Sequence, residues 1–321
     1  MRVLVAVVVH RARLTSIMTG DAGDGPADLE RVLRAMGIPM PAAPPADLGS
    51  PGRTHVWLVD DVVVKCDDRF RTKAMLRERS ALELLAGSDL VVPRVLGGGD
   101  FGDDRSWLVL ERLPGEPPPD AAWPAHELSA GLAEQLGAIT ARLHAAVRPP
   151  GFGTWATSGD RSLLDEERLR LENLTKMAVD AAVVPAAELS ALVHLIADTL
   201  ETLDTVRVPV LSHRDVQPRN ALVLGGRVTA LLDFEAAGGG DRAADFRILG
   251  LDWTTPGFAA FTRAYHEAAG SLGPDGPERV AHHVLHWVLA IYAYLGRIAP
   301  AYLSPARSAV ERIRNGERPE L

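Results

Sequence analysis

The sequence predicts an α+β chain in two parts, a small β-rich N-terminal part and a larger helical C-terminal part. Three observations predict it. Short strand-like runs gather before residue 113, the Pro- and Gly-dense stretch Pro114–Pro119 interrupts the chain, and long amphipathic helical patterns dominate beyond it. At 321 residues there is room for two ordinary domains or one two-lobed domain. Hydrophobic residues at 47% and charged residues at 24% give the balance of a packed globular protein. The expected divisions are a leader with no assigned structure at 1–27, an N-terminal lobe at 28–113 and a helical lobe at 114–321.

The first helix is read over Asp28 to Met36, where Leu29, Val32, Leu33 and Met36 recur at helical spacing. A Pro- and Ala-rich loop follows, Pro39 to Asp47. Val56–Val59 and Val62–Lys65 read as strands joined at Asp60-Asp61, a hairpin turn. Arg71 to Ala86 is helical, with Met75, Leu82 and Leu85 on its apolar side. Val91–Val95 and Ser106–Leu110 add two strands, giving a small sheet with one helix packed on it. Gly97 to Gly102 matches G-x-G-x-x-G, but a strand follows it where a dinucleotide fingerprint needs a helix, so it reads as a hairpin loop. No G-x-x-x-x-G-K-[ST] phosphate loop occurs.

Helices are expected over Leu128–Ala146, Leu163–Ala178 and Ala186–Leu203, then a compact β-rich insert over Val208–Phe234, then helices from Asp245 to about Asn315. The charge run Asp165 to Arg170 reads as a solvated helix face; Asp160, Asp165 and Glu166 facing a cationic substrate is the alternative. His282, His283 and His286 fall on an apolar helix without the Glu of an H-E-x-x-H arrangement, which favours packing over a metal site.

A net charge of -8 argues against nucleic acid as the main partner, which calls for clustered Lys and Arg, and suits a cationic one. Cys66 is the only cysteine, so an intrachain disulfide and a cysteine-rich zinc site are excluded and a reducing cytoplasm is the expected location. The apolar run Val3–Val9 falls short of the ~20 residues that span a bilayer. It has some likeness to a signal peptide, but no small-x-small cleavage site follows it cleanly, so it is read as a leader, with Met18 as an alternative start. No membrane partner is expected, and the chain is read as a monomer or homodimer.

The chemistry lies in Val210-Leu-Ser-His213-Arg214-Asp215-Val-Gln217-Pro218-Arg219-Asn220, followed by Ala221–Leu224, Gly225-Gly226, and a strand ending at Leu232-Asp233-Phe234-Glu235. A hairpin turning at Gly225-Gly226 returns Asp233 to the end that holds Asn220, beside Asp215. A carboxylate suited to orient a hydroxyl then stands next to an amide and a carboxylate suited to Mg²⁺, a hard cation that takes oxygen ligands. Phosphoryl transfer uses such a set, because it is won by positioning and charge neutralisation.

His-x-Asp-x-x-x-x-Asn followed by Asp-Phe-Glu resembles the aminoglycoside phosphotransferase family, as does Gly240-Asp241-Arg-Ala-Ala-Asp245-Phe, with Arg242 where Pro is usual. The resemblance implies a two-lobed protein-kinase-like fold and a kinase using ATP or GTP with Mg²⁺. Asp215 would be the catalytic residue, and Asn220 and Asp233 the metal ligands. Lys65 would hold the α- and β-phosphates and pair with Glu78, under a loop containing Ser50 and Arg53. Backbone groups around Glu111 and Leu113 would meet the base, with nucleotide between the lobes. Asp241 and Asp245 read as structural, His213 as packed, and Arg219 as solvent-facing or as a phosphate or substrate contact. Arg214 and Arg219 replace glycines common in the family. The first acceptor to consider is an aminoglycoside-like antibiotic; a peptide Ser or Thr, or an amino alcohol such as homoserine or choline, is the second, and a non-catalytic pseudokinase the third.

Overall fold

A computed structural model describes residues 25–43, 45–49, 54–67, 73–102, 105–118, 128–153, 161–296 and 299–321. Its contacts divide the chain into two compact units. The first runs to Ala86 and takes in Pro93–Leu113; the second comprises Gly87–Val92 and Pro114–Leu321.

The first unit is a four-stranded antiparallel sheet in the order β1-β2-β4-β3, from Thr54–Val59 (β1), Val62–Asp67 (β2), Val95–Asp100 (β3) and Ser106–Glu111 (β4). The β1–β2 hairpin turns at Asp60-Asp61, with Asp60 in the left-handed region at φ 48° that a two-residue turn demands. Alternation along the strands sends Val64, Cys66 and Val109 to one face, where they join Leu29, Val32 and Leu33 of helix α1 (Gly25–Met36) in a buried apolar cluster. Lys65 points to the other face, toward helix α2 (Ala74–Leu85), whose Met75, Leu82 and Leu85 are buried. The sheet is therefore covered by two helices, one more than the sequence suggested. Helix α1 also begins at Gly25, inside the stretch read as leader.

Asp67 fastens this unit. One carboxylate oxygen accepts from the Ala74 and Met75 amides at the start of α2, and the other accepts from the Ser106 amide and hydroxyl on β4. Burial pushes its acid up in spite of these bonds. A second buried pair, Arg105–Asp28 at 2.5 Å, ties the start of β4 to α1.

The third strand is not where the hydropathy placed it. Val91–Val95 gives way to Val95–Asp100, so Gly97, Gly98 and Gly99 form a strand instead of a loop. Pro93 has no amide to donate, and pairing starts with the Arg94 carbonyl accepting from the Glu111 amide. A Cβ at Gly97 would lie 2.4 Å from the Met36 sulfur and one at Gly99 3.0 Å from the Trp107 ring, so close packing against α1 and β4 selects glycine.

The second unit is built on helices α3 (Ala130–Ala146), α4 (Leu163–Ala181), α5 (Ala186–Thr199), α6 (Pro256–Ala269), α7 (Gly276–Ala290) and α8 (Leu303–Arg314). Ser129, Ser162 and Thr255 cap α3, α4 and α6 through their hydroxyls. Helices α3 and α6 meet at Gly137, where a Cβ would stand 2.2 Å from the Phe261 carbonyl oxygen. Phe246 meets Phe258, Phe261 and Tyr265 edge-to-face in an aromatic core. Two short antiparallel pairs complete the unit: β5 (Val210–Ser212) with β8 (Gly238–Gly240), and β6 (Ala221–Leu224) with β7 (Arg227–Leu231). No described helix is long and apolar enough to cross a membrane.

Candidate active site

Strand β5 ends at Ser212 and the chain turns through His213-Arg214-Asp215. Arg214 is left-handed at φ 61°, a conformation that a residue with a Cβ keeps only when its surroundings enforce it. The enforcing group is Asp245, whose fully buried carboxylate accepts from the His213 amide at 2.9 Å and the Arg214 amide at 2.5 Å. His144 of α3 donates to the same carboxylate at 2.8 Å, and its other ring nitrogen meets the Tyr265 hydroxyl at 2.7 Å. Arg247 donates to the Arg214 carbonyl, and Arg214 itself donates to the Gly239 carbonyl on β8. Asp241 is likewise structural: it accepts from the Ala243 amide, Arg279 and His283.

Burial opposes ionisation of Asp245, but the bonds and charge of His144, then His213 and the Arg214 amide, outweigh it and hold the acid at about 2. Because the folded value is depressed, the resulting stability is fully present above the ordinary acid value of 3.8 and is lost as pH falls through about 2. At about 1.4 kcal/mol per tenfold change in proton affinity, the contribution is about 2 kcal/mol. Asp245→Asn is expected to cost about 3–5 kcal/mol at neutral pH by leaving buried partners unmatched. It is also expected to flatten stability between pH ~4 and ~2. Urea unfolding across that pH range checks both, and a variant with an unchanged acid slope would remove Asp245 as the clamp.

Beyond the turn, a single 3-10 turn over Pro218–Asn220 leads into β6. Asp215 is oriented by two side-chain amides: Gln217 Nε2 donates to Oδ1 at 2.6 Å, and Asn220 Nδ2 donates to Oδ2 at 2.6 Å and to the Asp215 carbonyl at 2.9 Å. Each carboxylate oxygen keeps acceptor capacity for a further donor. Asn220 commits its NH₂ to Asp215, which leaves its side-chain oxygen Oδ1 as its remaining polar group. The β6–β7 hairpin turns at Gly225 and Gly226, both left-handed at φ 59° and 78°, and brings the chain back so that the Leu232 amide donates to the Asn220 carbonyl at 2.8 Å. Asp233 comes next, itself left-handed at φ 66°. His213 is fully buried and packed: Nε2 donates to the Leu232 carbonyl at 2.9 Å and its ring lies 4.5 Å from Phe234.

Arg219 is turned toward this group rather than simply outward, with Nη2 3.8 Å from Asp215 Oδ2 and 32% of its side chain exposed. Burial pulls its guanidinium down, but Asp215, Tyr302, Asp233 and Glu235 outweigh that and hold it above its usual value. An oxygen-rich edge with one neighbouring guanidinium fits a hard divalent cation carried by an anionic ligand.

In the first unit, Lys65 Nζ meets Glu78 Oε2 at 2.5 Å, with both side chains buried between β2 and α2. Glu111 ends β4, paired with Arg94 at 3.3 Å, and Leu113 lies two residues on, at the edge of the unit. Ser50, Arg53 and Asp160 lie outside the described residues. The base of the loop that holds Ser50 and Arg53 is anchored by Asp47, which accepts from the Gly49 and Val56 amides and binds the His55 ring.

The charge run on α4 departs from a solvated face at Glu167, which is buried, although Asp165 and Arg168 pair at the surface as expected. Sequence reasoning also missed His144, Tyr265 and Arg247 as supports of the 213–215 turn. Only the 144–245 and 247–214 contacts single them out, and no local pattern marks them.

A model of a phosphotransferase enzyme family matches residues 47–283. Among solved structures, the chain is similar to a thermostable mutant of the aminoglycoside phosphotransferase APH(4)-Ia in ternary complex with ADP and hygromycin B. That likeness has 16% identity and a TM-score of 0.62, and covers 88% of this chain and 97% of the other. A proposed fructosamine-3-kinase from Thermobifida fusca YX-ER1 is 23% identical, with a TM-score of 0.61 over 88% and 98%. An aminoglycoside-3'-phosphotransferase of type VIII is 23% identical, with a TM-score of 0.58 over 84% and 99%. No curated protein sequence matches the chain. These likenesses establish a protein-kinase-like fold, with a small antiparallel sheet and a larger helical portion. With a family model spanning well over half of its length, the chain belongs to the phosphotransferase enzyme family.

Proposed function

We propose that the chain transfers the γ-phosphoryl group of ATP or GTP to a hydroxyl of a small molecule, with an aminoglycoside-like antibiotic as the first acceptor to test. The observation that carries this reading is the Asp215 carboxylate, fixed by Gln217 and Asn220 while retaining acceptor capacity. In this reading Asp215 orients the acceptor hydroxyl and receives its proton. The Asn220 side-chain oxygen and the Asp233 carboxylate would hold Mg²⁺, which would supply neutralisation of phosphate charge. Lys65, kept in place by Glu78, meets the nucleotide phosphates; Ser50 and Arg53 cover them; backbone groups of Glu111 and Leu113 meet the base. Support for the nucleotide comes from the ADP and hygromycin B bound to the APH(4)-Ia structure. The net charge of -8 favours a cationic acceptor; antibiotic modification, with the cytoplasm as its place, belongs to the same proposal.

The test is Mg²⁺-dependent ATP and GTP consumption by the purified chain against aminoglycosides, amino alcohols, Ser/Thr peptides and buffer alone. Consumption stimulated by a hydroxylated small molecule, with a phosphate ester recovered on it, is the expected outcome. Stimulation by peptides alone transfers the activity to a protein substrate. Nucleotide binding without consumption in any arm supports the pseudokinase.

A further inference from the structure

Helices α4 and α7 bury a cluster of acceptor atoms that the phosphotransferase chemistry does not use. Glu167 of α4 and His282 and His283 of α7 are each under 4% exposed. One ligand atom from each lies within 4.8 Å of those from the other two. The hydrogen bonds of the two rings indicate which nitrogens stay open to a ligand. The Thr199 hydroxyl lies 2.9 Å from the Ile196 carbonyl and 2.8 Å from His282 Nδ1; with its hydrogen assigned to the carbonyl, it accepts from Nδ1, and Nδ1 carries the proton. Asp241 Oδ2, a carboxylate oxygen, accepts from His283 Nε2 at 3.2 Å, so that nitrogen carries the proton. His282 Nε2 and His283 Nδ1 are left with bare lone pairs, and both are buried without a hydrogen-bond partner.

Glu167 completes the group. Its Oε1 faces Arg170 at 3.7 Å, while its buried Oε2 has no hydrogen-bond partner and lies 3.5 Å from His286 Nδ1. Arg170 balances the carboxylate charge from its Oε1 side, but two nitrogen lone pairs and Oε2 gathered in a buried space remain unmatched, a costly arrangement that a further cation would relieve. The outer contacts match those of metal-bound imidazole, in which the distal N–H donates to a hydroxyl or carboxylate that fixes the ring. The carboxylate comes from a different helix, so the absence of H-E-x-x-H on α7 does not count against the set.

We infer that Glu167, His282 and His283 form a binding site for a first-row divalent cation, Zn²⁺ in the first instance, that joins α4 to α7. Two imidazoles and one carboxylate suit Zn²⁺ with a water as fourth ligand, and the nitrogen ligands disfavour Mg²⁺ and Ca²⁺. This site is separate from the Asn220–Asp233 pair proposed for Mg²⁺, and its failure leaves that proposal standing.

The test measures metal content and thermal stability. The wild-type chain, stripped with chelator and dialysed against Zn²⁺ and then buffer, is expected to retain about one equivalent per chain. Its thermal midpoint is expected to rise with Zn²⁺. Glu167→Gln should lose both responses and Asp233→Ala should keep both. A wild-type chain that retains no Zn²⁺ and shows no shift overturns the site, and this arm needs no variant to fold. A Glu167→Gln chain that retains the wild-type equivalent with the same shift also overturns it.

Discussion

Replacing Asp215 with Asn is expected to lower kcat by about 10²–10⁴, the usual range for loss of a positioned proton acceptor. Nucleotide affinity should change little, because Lys65 and Glu78 belong to the other unit and bond to each other. The stability cost should be small. Gln217 and Asn220 each donate one bond to the Asp215 carboxylate. An Asn at 215 keeps one acceptor oxygen and turns an NH₂ toward the second donor, a loss of about 1 kcal/mol. A purely structural Asp215 would give the opposite pattern, a lowered thermal midpoint with activity per folded molecule kept. Measuring kcat and the thermal midpoint on the same preparation separates the two.

Asp233→Ala is expected to remove Mg²⁺-dependent turnover to background while the chain stays folded. Asp233 follows an apolar strand in a left-handed conformation that disfavours residues with a Cβ. Ala shares that handicap and Gly does not, so Asp233→Gly should be the more stable variant by about 1 kcal/mol. Both should be equally inactive if the carboxylate is the required group. Turnover with wild-type Mg²⁺ dependence in either variant would take Asp233 out of the site. Activity that recovers in the Gly variant alone would assign its role to backbone conformation.

How much was legible in the sequence follows from where each signal resides. Asp60-Asp61 and Gly225-Gly226 marked their hairpins because two-residue turns need left-handed residues, and the spacing across the second hairpin was enough to bring Asn220 and Asp233 to one end. The strand Val95–Asp100 was hidden because Gly97, Gly98 and Gly99 carry no hydropathy pattern; close packing against Met36 and Trp107 decides it. Glu167 was hidden for the opposite reason. Its neighbours Asp165 and Arg168 are surface charges, and only the packing of α7 determines that this one carboxylate goes inside. Asp245 was recognisable as structural, but its hold on the 213–215 backbone depends on contacts more than thirty residues distant in sequence.

Phosphoryl transfer is seen most plainly by following the γ-phosphoryl group itself. The chain, Mg²⁺ and γ-labelled ATP are incubated with the acceptor that most stimulates consumption, and the label is located by mass and by its position on the product. An intact phosphoryl group esterified to an acceptor hydroxyl is expected in the wild type and none in Asp233→Ala. Label that appears only as inorganic phosphate, or on the acceptor in equal yield from both proteins, would contradict it.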